Sequence, residues 1–178
     1  MKQVHVGAHW EIRFQNRCRV QGIACTRIPD GCKQVAPQKL IRVKSPWDFV
    51  LSFRGITALI DTKTTTGSAF SHSKIDPSQV LNMFEHEAQG IRAGYVIELK
   101  ETQTVIFVPS SILRTRFKAG KRGSIEPNDP GVKTLSSQGT LDARLIFQEP
   151  QALAAWMARE LTDDRRNEPR PATDATIR

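Results

Sequence analysis

Residues 47–66 read WDFVLSFRGITALIDTKTTT, and the fold is decided by how this stretch is paired. Two apolar runs, Phe49 to Phe53 and Ile56 to Ile60, flank the dipeptide Arg54-Gly55. A glycine in a two-residue connection between β-rich runs signals an antiparallel hairpin. With Arg54 and Gly55 as the only loop residues, Phe53 pairs with Ile56, Ser52 with Thr57, Val50 with Leu59 and Asp48 with Asp61. Side chains alternate between the faces of a strand. Phe49, Leu51, Phe53, Ile56, Ala58 and Ile60 therefore form an apolar face expected to be core, while Asp48, Asp61 and Lys63 share the other. Opposed side chains in such a pair stand about 5 Å apart. Two carboxylates that close repel one another, and a bound divalent cation removes the penalty. Hard oxygen ligands suit magnesium or manganese rather than zinc. Such an ion lowers the pKa of a bound water, and a lysine alongside orients that water or stabilises charge on a phosphorus centre.

Upstream, Trp10, Phe14 and Cys18 recur at four-residue spacing and predict a helix from about Gly7 to Gln21, ended by Gly22. Ile23 to Ile28 reads as a short strand. The segment Pro29 to Pro46, carrying Lys33, Lys39, Arg42 and Lys44, reads as a basic loop or hairpin. Downstream, Thr64 to Lys74 is expected to be a polar loop. Asp76-Pro77 opens a helix to about Arg92, with Val80, Phe84 and Ala88 on one face. Gly94 to Leu99 and Thr104 to Val108 predict a second hairpin, and Ser110 or Ser111 caps a short helix to about Arg116. Asp142 to Phe147 reads as a last strand and Gln151 to Leu161 as a last helix. From Thr162 the chain is charged and poor in apolar residues, which predicts a disordered tail over 162–178. The order of elements predicts one α/β domain over 1–161, with 29–45 as a basic projecting segment.

The 178 residues carry a formal net charge of +8, an excess that favours a polyanionic partner. Around Phe117 the cations Arg114, Arg116, Lys118, Lys121 and Arg122 read as a phosphate-contacting patch, as do those of the 29–45 segment. Cys18, Cys25 and Cys32 show neither disulfide nor zinc spacing. The first residues have no apolar run of the secretory type and no segment approaches membrane-spanning length, so a soluble intracellular protein is expected.

Ser45-Pro46-Trp47-Asp48, a hairpin containing Gly55, and then Asp61-Thr62-Lys63-Thr64-Thr65 resemble the core of the PD-(D/E)xK nucleases. The most similar variant is the RecU-type Holliday junction resolvase, and the resemblance covers roughly residues 5 to 113. It implies a restriction-endonuclease-like α/β fold with a mixed central sheet flanked by helices. It also implies a Mg²⁺-dependent endonuclease, with Mn²⁺ able to substitute, that resolves four-way junctions by paired symmetric nicks. A homodimer follows, because two strands must be cut. The expected setting is the cytoplasm, at the nucleoid or in a phage-infected cell, with no membrane association.

By the same resemblance Asp48 and Asp61 hold metal and Gly7-x-x-x-Glu11 adds Glu11 as a third acid. Lys63 assists the attacking water, and Gln79 on the following helix supports the site. Thr64, Thr65, His72 and Lys74 are further expected DNA contacts. Trp47 separates Pro46 from Asp48, Asp61 stands where relatives generally have glutamate, Ser78 stands where histidine is usual, and the 29–45 segment is shorter than the family's stalk. Two other readings stand beside the resolvase. One is a PD-(D/E)xK nuclease acting on duplex or single-stranded DNA without junction preference. The other is a non-catalytic DNA-binding module.

Overall fold

The structure is a computed structural model that describes residues 6–36, 39–43, 45–120, 123–137 and 140–148, with side chains at 9–31, 45–120, 123–136 and 140–148. The described residues belong to one compact unit, Met1–Gln148. The expected helix Gln151 to Leu161 and the tail 162–178 lie outside the described residues.

Helix α1 (Val6–Val20) is followed by strand β1 (Ala24–Arg27) and the hairpin β2 (Gly31–Ala36) and β3 (Lys39–Val43). Next come β4 (Phe49–Phe53), β5 (Ile56–Thr65) and the short β6 (Phe70–Ser71). Helix α2 (Pro77–Ala88) leads to β7 (Arg92–Leu99), β8 (Thr104–Pro109) and helix α3 (Ser110–Lys118). The last elements are β9 (Ser124–Ile125), β10 (Lys133–Ser137), β11 (Thr140–Leu141) and a 3₁₀ turn at Ala143–Phe147.

The main sheet has seven strands in the order β1-β4-β5-β7-β8-β10-β11. Only β5 and β7 are parallel; every other neighbouring pair is antiparallel. A parallel pair needs a crossover, and α2 lies within this one. The expected α/β class, a mixed central sheet flanked by helices, is what the chain adopts.

Local chemistry explains the hinge of this sheet. Arg54 (φ 51°) and Gly55 (φ 79°) both adopt the left-handed conformation that a two-residue type I′ hairpin requires. The register follows, from Phe53 opposite Ile56 to Phe49 opposite Ile60. At Gly94 the constraint is space: a Cβ there would lie 2.3 Å from the Val108 carbonyl oxygen, so only glycine lets β7 approach β8 so closely.

Both faces of the sheet are covered. Trp10, Phe14 and Cys18 of α1 pack with Phe49, Leu51, Ala58 and Ile60 on one side. Val80 and Met83 of α2 and Leu113 of α3 pack with Leu59, Tyr95 and Ile97 on the other. Burying each of the leucine, isoleucine, valine, methionine and phenylalanine side chains among these stabilises the fold by about 1.5–3 kcal/mol. Among the described residues no helix is long and apolar enough to cross a membrane.

Four local expectations are corrected. Helix α2 ends at Ala88, not near Arg92: Gly90, at φ 86°, turns the chain and Arg92 already belongs to β7. Its buried side is Gln79, Val80, Met83, Phe84 and Glu87, and Ala88 is exposed. Residues 142–147 form no strand; Asp142 accepts a hydrogen bond from the Arg144 N–H and starts the 3₁₀ turn Ala143–Phe147. The stretch 64–74 is only partly loop, since β5 continues to Thr65 and Phe70–Ser71 pairs with Ser124–Ile125.

Finally, neither Ser110 nor Ser111 caps its own helix. The cap comes from Glu87 of α2, whose Oε2 accepts from Ser110 Oγ (2.5 Å) and Ser111 N–H (2.7 Å). Burial holds the Glu87 carboxyl above its ordinary pKa, against the pull of these donors. Its contribution to folding is therefore fully present below the unfolded-state pKa and lost as pH rises through the raised one. Glu87→Gln keeps an acceptor without a charge, so its stability relative to wild type is expected to rise as pH is raised above the ordinary glutamate range. Urea unfolding at several pH values measures this, and a flat difference would overturn the assignment. Glu87→Ala strands the Ser111 N–H and is expected to cost about 1–3 kcal/mol.

Candidate active site

The hairpin delivers its two acids to the end where β5 runs on past β4. Asp48 stands just before β4, fixed by its N–H to the Ile60 carbonyl (2.9 Å) and by its own carbonyl, which accepts from Ile28 N–H (2.8 Å). The regular register ends with Phe49 opposite Ile60. Asp48 departs from it, because its own N–H reaches the Ile60 carbonyl, so the direct opposition to Asp61 expected from counting outward from the turn is not kept. Asp48 Oδ2 accepts from both Thr62 N–H (2.7 Å) and Thr62 Oγ1 (2.9 Å). Among the described residues no donor reaches its Oδ1.

Asp61 is fully buried. Its Oδ1 accepts from Gln79 Nε2 at 2.8 Å, and the same amide donates to the Pro46 carbonyl at 2.6 Å. Gln79 thus ties α2, the loop before Asp48 and the acid of β5 into one unit. Asp61 Oδ2 forms an ion pair with Lys63 but accepts no aligned hydrogen bond. The Lys63 ammonium lies 5.6 Å from the centre of the Tyr95 ring, and Tyr95 is the register neighbour of Asp61 on β7. Burial, then repulsion from Asp48, pushes the Asp61 carboxyl above its usual range, opposed by Lys63 and Gln79.

Glu11 is placed differently. Its carboxylate meets Arg27 at 2.7 Å, and the pair lines a cleft of about 410 Å³ together with Asp30, Asp48, Thr62 and Lys63. Among the described residues no group of three His, Cys, Asp or Glu side chains is gathered closely enough to hold a metal ion. The structure therefore joins Asp61 to Lys63 and Gln79, holds Asp48 on Thr62 near enough to repel Asp61, and leaves Glu11 at the cleft wall on Arg27. The carboxylate oxygens that could ligate a small hard cation are Asp48 Oδ1, which meets no donor among the described residues, and Asp61 Oδ2, which the Lys63 ammonium now meets. Such ions are commonly held by one or two carboxylates and keep several waters.

The expected DNA contacts separate. Thr64 Oγ1 donates to Glu98 (3.0 Å), which also pairs with Arg13 of α1, so this threonine points under the helix. Thr65 Oγ1 accepts from Gly67 N–H at 3.4 Å. His72 is buried rather than displayed on a loop: its ring stacks 4.0 Å from Phe117, and burial, with Arg116 nearby, lowers its pKa. Arg114 lies over Phe84 (3.9 Å), and Arg116 pairs with Asp129 (2.5 Å). Lys74 and Lys118 are exposed. Lys44, Lys121 and Arg122 lie outside the described residues, as do the side chains of Lys33, Lys39 and Arg42 on β2 and β3.

Sequence reasoning did not single out Thr62, Tyr95 or Glu98. Thr62 and Thr64 share one face of β5 by its period-two alternation, and their partners come from other elements.

Lys63 is the sole charge partner of a buried acid among the interactions described above. Lys63→Met is expected to cost about 3 kcal/mol at pH 8 in EDTA, because it leaves Asp61 charged and unpaired. Asp61, its pKa raised, takes up a proton as pH falls, so the cost shrinks toward pH 4, measured by urea unfolding. The double variant Asp61→Asn, Lys63→Met should recover most of the loss. A cost independent of pH would show that packing of the lysine stem, not charge, is at stake.

No protein-family model matches the chain, and no curated protein matches it. Among solved structures it is similar to the Holliday junction resolvase Hjc of Archaeoglobus fulgidus, at 16% identity and a TM-score of 0.43, over 58% of this chain and 77% of that one.

Proposed function

We propose that this chain is a metal-dependent endodeoxyribonuclease of the PD-(D/E)xK class that acts on branched DNA, four-way junctions foremost, as a homodimer. The observation that carries this reading is Asp61: a fully buried carboxylate repelled by nearby Asp48, with one oxygen held by Gln79 and the other met by the ammonium of Lys63, two residues on. A carboxylate is costly to bury without full compensation. A buried acid whose proton affinity is raised by burial and by a second acid nearby marks a functional site more readily than a structural one. The net charge of +8 supports a polyanionic substrate.

Asp48 and Asp61 would hold Mg²⁺ or Mn²⁺, which when bound supplies a water of lowered pKa and offsets charge on the phosphate. Gln79 keeps Asp61 from rotating by holding one of its oxygens. Lys63, its side chain 21% exposed, reaches from Asp61 into the cleft, where its ammonium orients the attacking water or balances charge on the phosphate oxygens. Water would lose a proton as it adds to phosphorus, and the bond to one bridging oxygen would break, that oxygen taking up a proton to leave as a hydroxyl. Arg27 on the cleft wall, paired with Glu11, would meet a phosphate of the strand by exchanging that partner.

The test is cleavage of a labelled four-way junction and a matched linear duplex, with Mg²⁺, Mn²⁺ or EDTA. Paired symmetric nicks in the junction alone are expected, lowered about a hundredfold or more in Asp61→Ala. Equal cutting of both substrates would remove the junction preference and keep the nuclease. Tight binding with no metal-dependent cutting would remove the catalytic reading. DNA affinity should fall steeply between about 50 and 200 mM salt.

A further inference from the structure

Thr62 stands between the two residues that face the buried site, yet its own side chain points the other way. Its two donors converge on a single atom: N–H at 2.7 Å and Oγ1 at 2.9 Å both reach Asp48 Oδ2. The backbone of Asp48 is fixed independently, through its N–H to Ile60 and its carbonyl to Ile28. The one freedom left to Asp48 is rotation of its side chain, and the Thr62 hydroxyl acts on that freedom. Thr62 is 8% exposed, so water competes poorly for the hydroxyl. Its β-branched side chain is also stiff at χ1, which keeps the hydroxyl aimed.

Two donors on Oδ2 leave Asp48 one oxygen, Oδ1, to offer. Ca²⁺ takes six to eight ligands and accepts both oxygens of a carboxylate, whereas Mg²⁺ requires near-octahedral geometry and single oxygens. We propose that Thr62 is a positioning residue that holds Asp48 to one free carboxylate oxygen and so sets the site's preference for small octahedral cations over Ca²⁺. The inference rests on the reading of Asp48 and Asp61 as the metal-holding pair.

The test uses DNA-free protein and Mn²⁺ as the probe, titrated by electron paramagnetic resonance and competed with Ca²⁺. Thr62→Val removes the hydroxyl at nearly constant shape. It is expected to weaken Mn²⁺ binding about tenfold, the usual effect of losing a group that orients a metal ligand. Ca²⁺ should weaken less, so the ratio of the two affinities falls. Thr62→Ser, which keeps the hydroxyl, should stay close to wild type. Thr62→Ala gives the same readout if the added valine methyl upsets packing under α1. Unchanged affinities in Thr62→Val and Thr62→Ala, with Mn²⁺ binding abolished in Asp48→Ala, would overturn the role of Thr62 and leave the acid pair standing. Equal loss of Mn²⁺ and Ca²⁺ would overturn the selectivity. Mn²⁺ binding untouched by Asp48→Ala would overturn the metal-site reading itself, and the inference with it.

Discussion

The placement of Asp61 constrains everything around it. Its carboxylate is fully buried on β5, at the junction between an antiparallel neighbour and a parallel one. Such a group is tolerated only if other elements bring donors to it. Gln79 arrives from α2, the helix that the parallel pairing of β5 and β7 requires, and Lys63 from the continuation of β5. The sheet topology and the site are therefore one arrangement: the crossover that closes the fold also supplies the amide that holds the acid.

A second buried carboxylate shows what a structural one looks like. Glu87 sits on the same helix as Gln79, and one of its oxygens takes two donors at the start of α3. It satisfies a helix terminus that would otherwise have unpaired N–H groups. Asp61 differs in having one oxygen that meets a cation without an aligned hydrogen bond, close to the repulsive charge of Asp48. Helix α2 thus carries one residue that stabilises the fold and one that holds a strained site. The contrast separates their roles better than burial alone, since both are shielded from water.

On the far side of the sheet, α1 contributes polar contacts as well as core. Arg13 pairs with Glu98, which receives the Thr64 hydroxyl, while Glu11 pairs with Arg27 across the cleft. β5 consequently presents Asp61 and Lys63 to one face, and Thr62 and Thr64 to the other. The threonines anchor the strand to its surroundings through Asp48 and Glu98. The polar run after Asp61 stabilises the strand as much as it offers contacts to a substrate.

The hairpin, its turn and its register from Phe53 to Phe49 were legible in residues 47–66, because a two-residue turn and period-two alternation are local properties of the chain. The departure of Asp48 from that register was not. Helix α1, the strands β7 and β8 and the basic hairpin followed from patterns of the same kind. The end of α2 was also legible, since Gly90 marks it, and the longer helix ignored that signal. The apolar run 143–147 was not, because a short run of this kind suits a strand or a helical turn until its packing decides. The partner of Glu11, the cap that Glu87 gives α3, the Tyr95 ring near Lys63 and the reach of Thr62 to Asp48 came only with the tertiary structure. Each joins residues whose separation in sequence carries no fixed geometry, so packing of the two helical layers on the sheet had to set the distance. Sequence determined which groups line the hairpin; packing determined which of them are held, and by what.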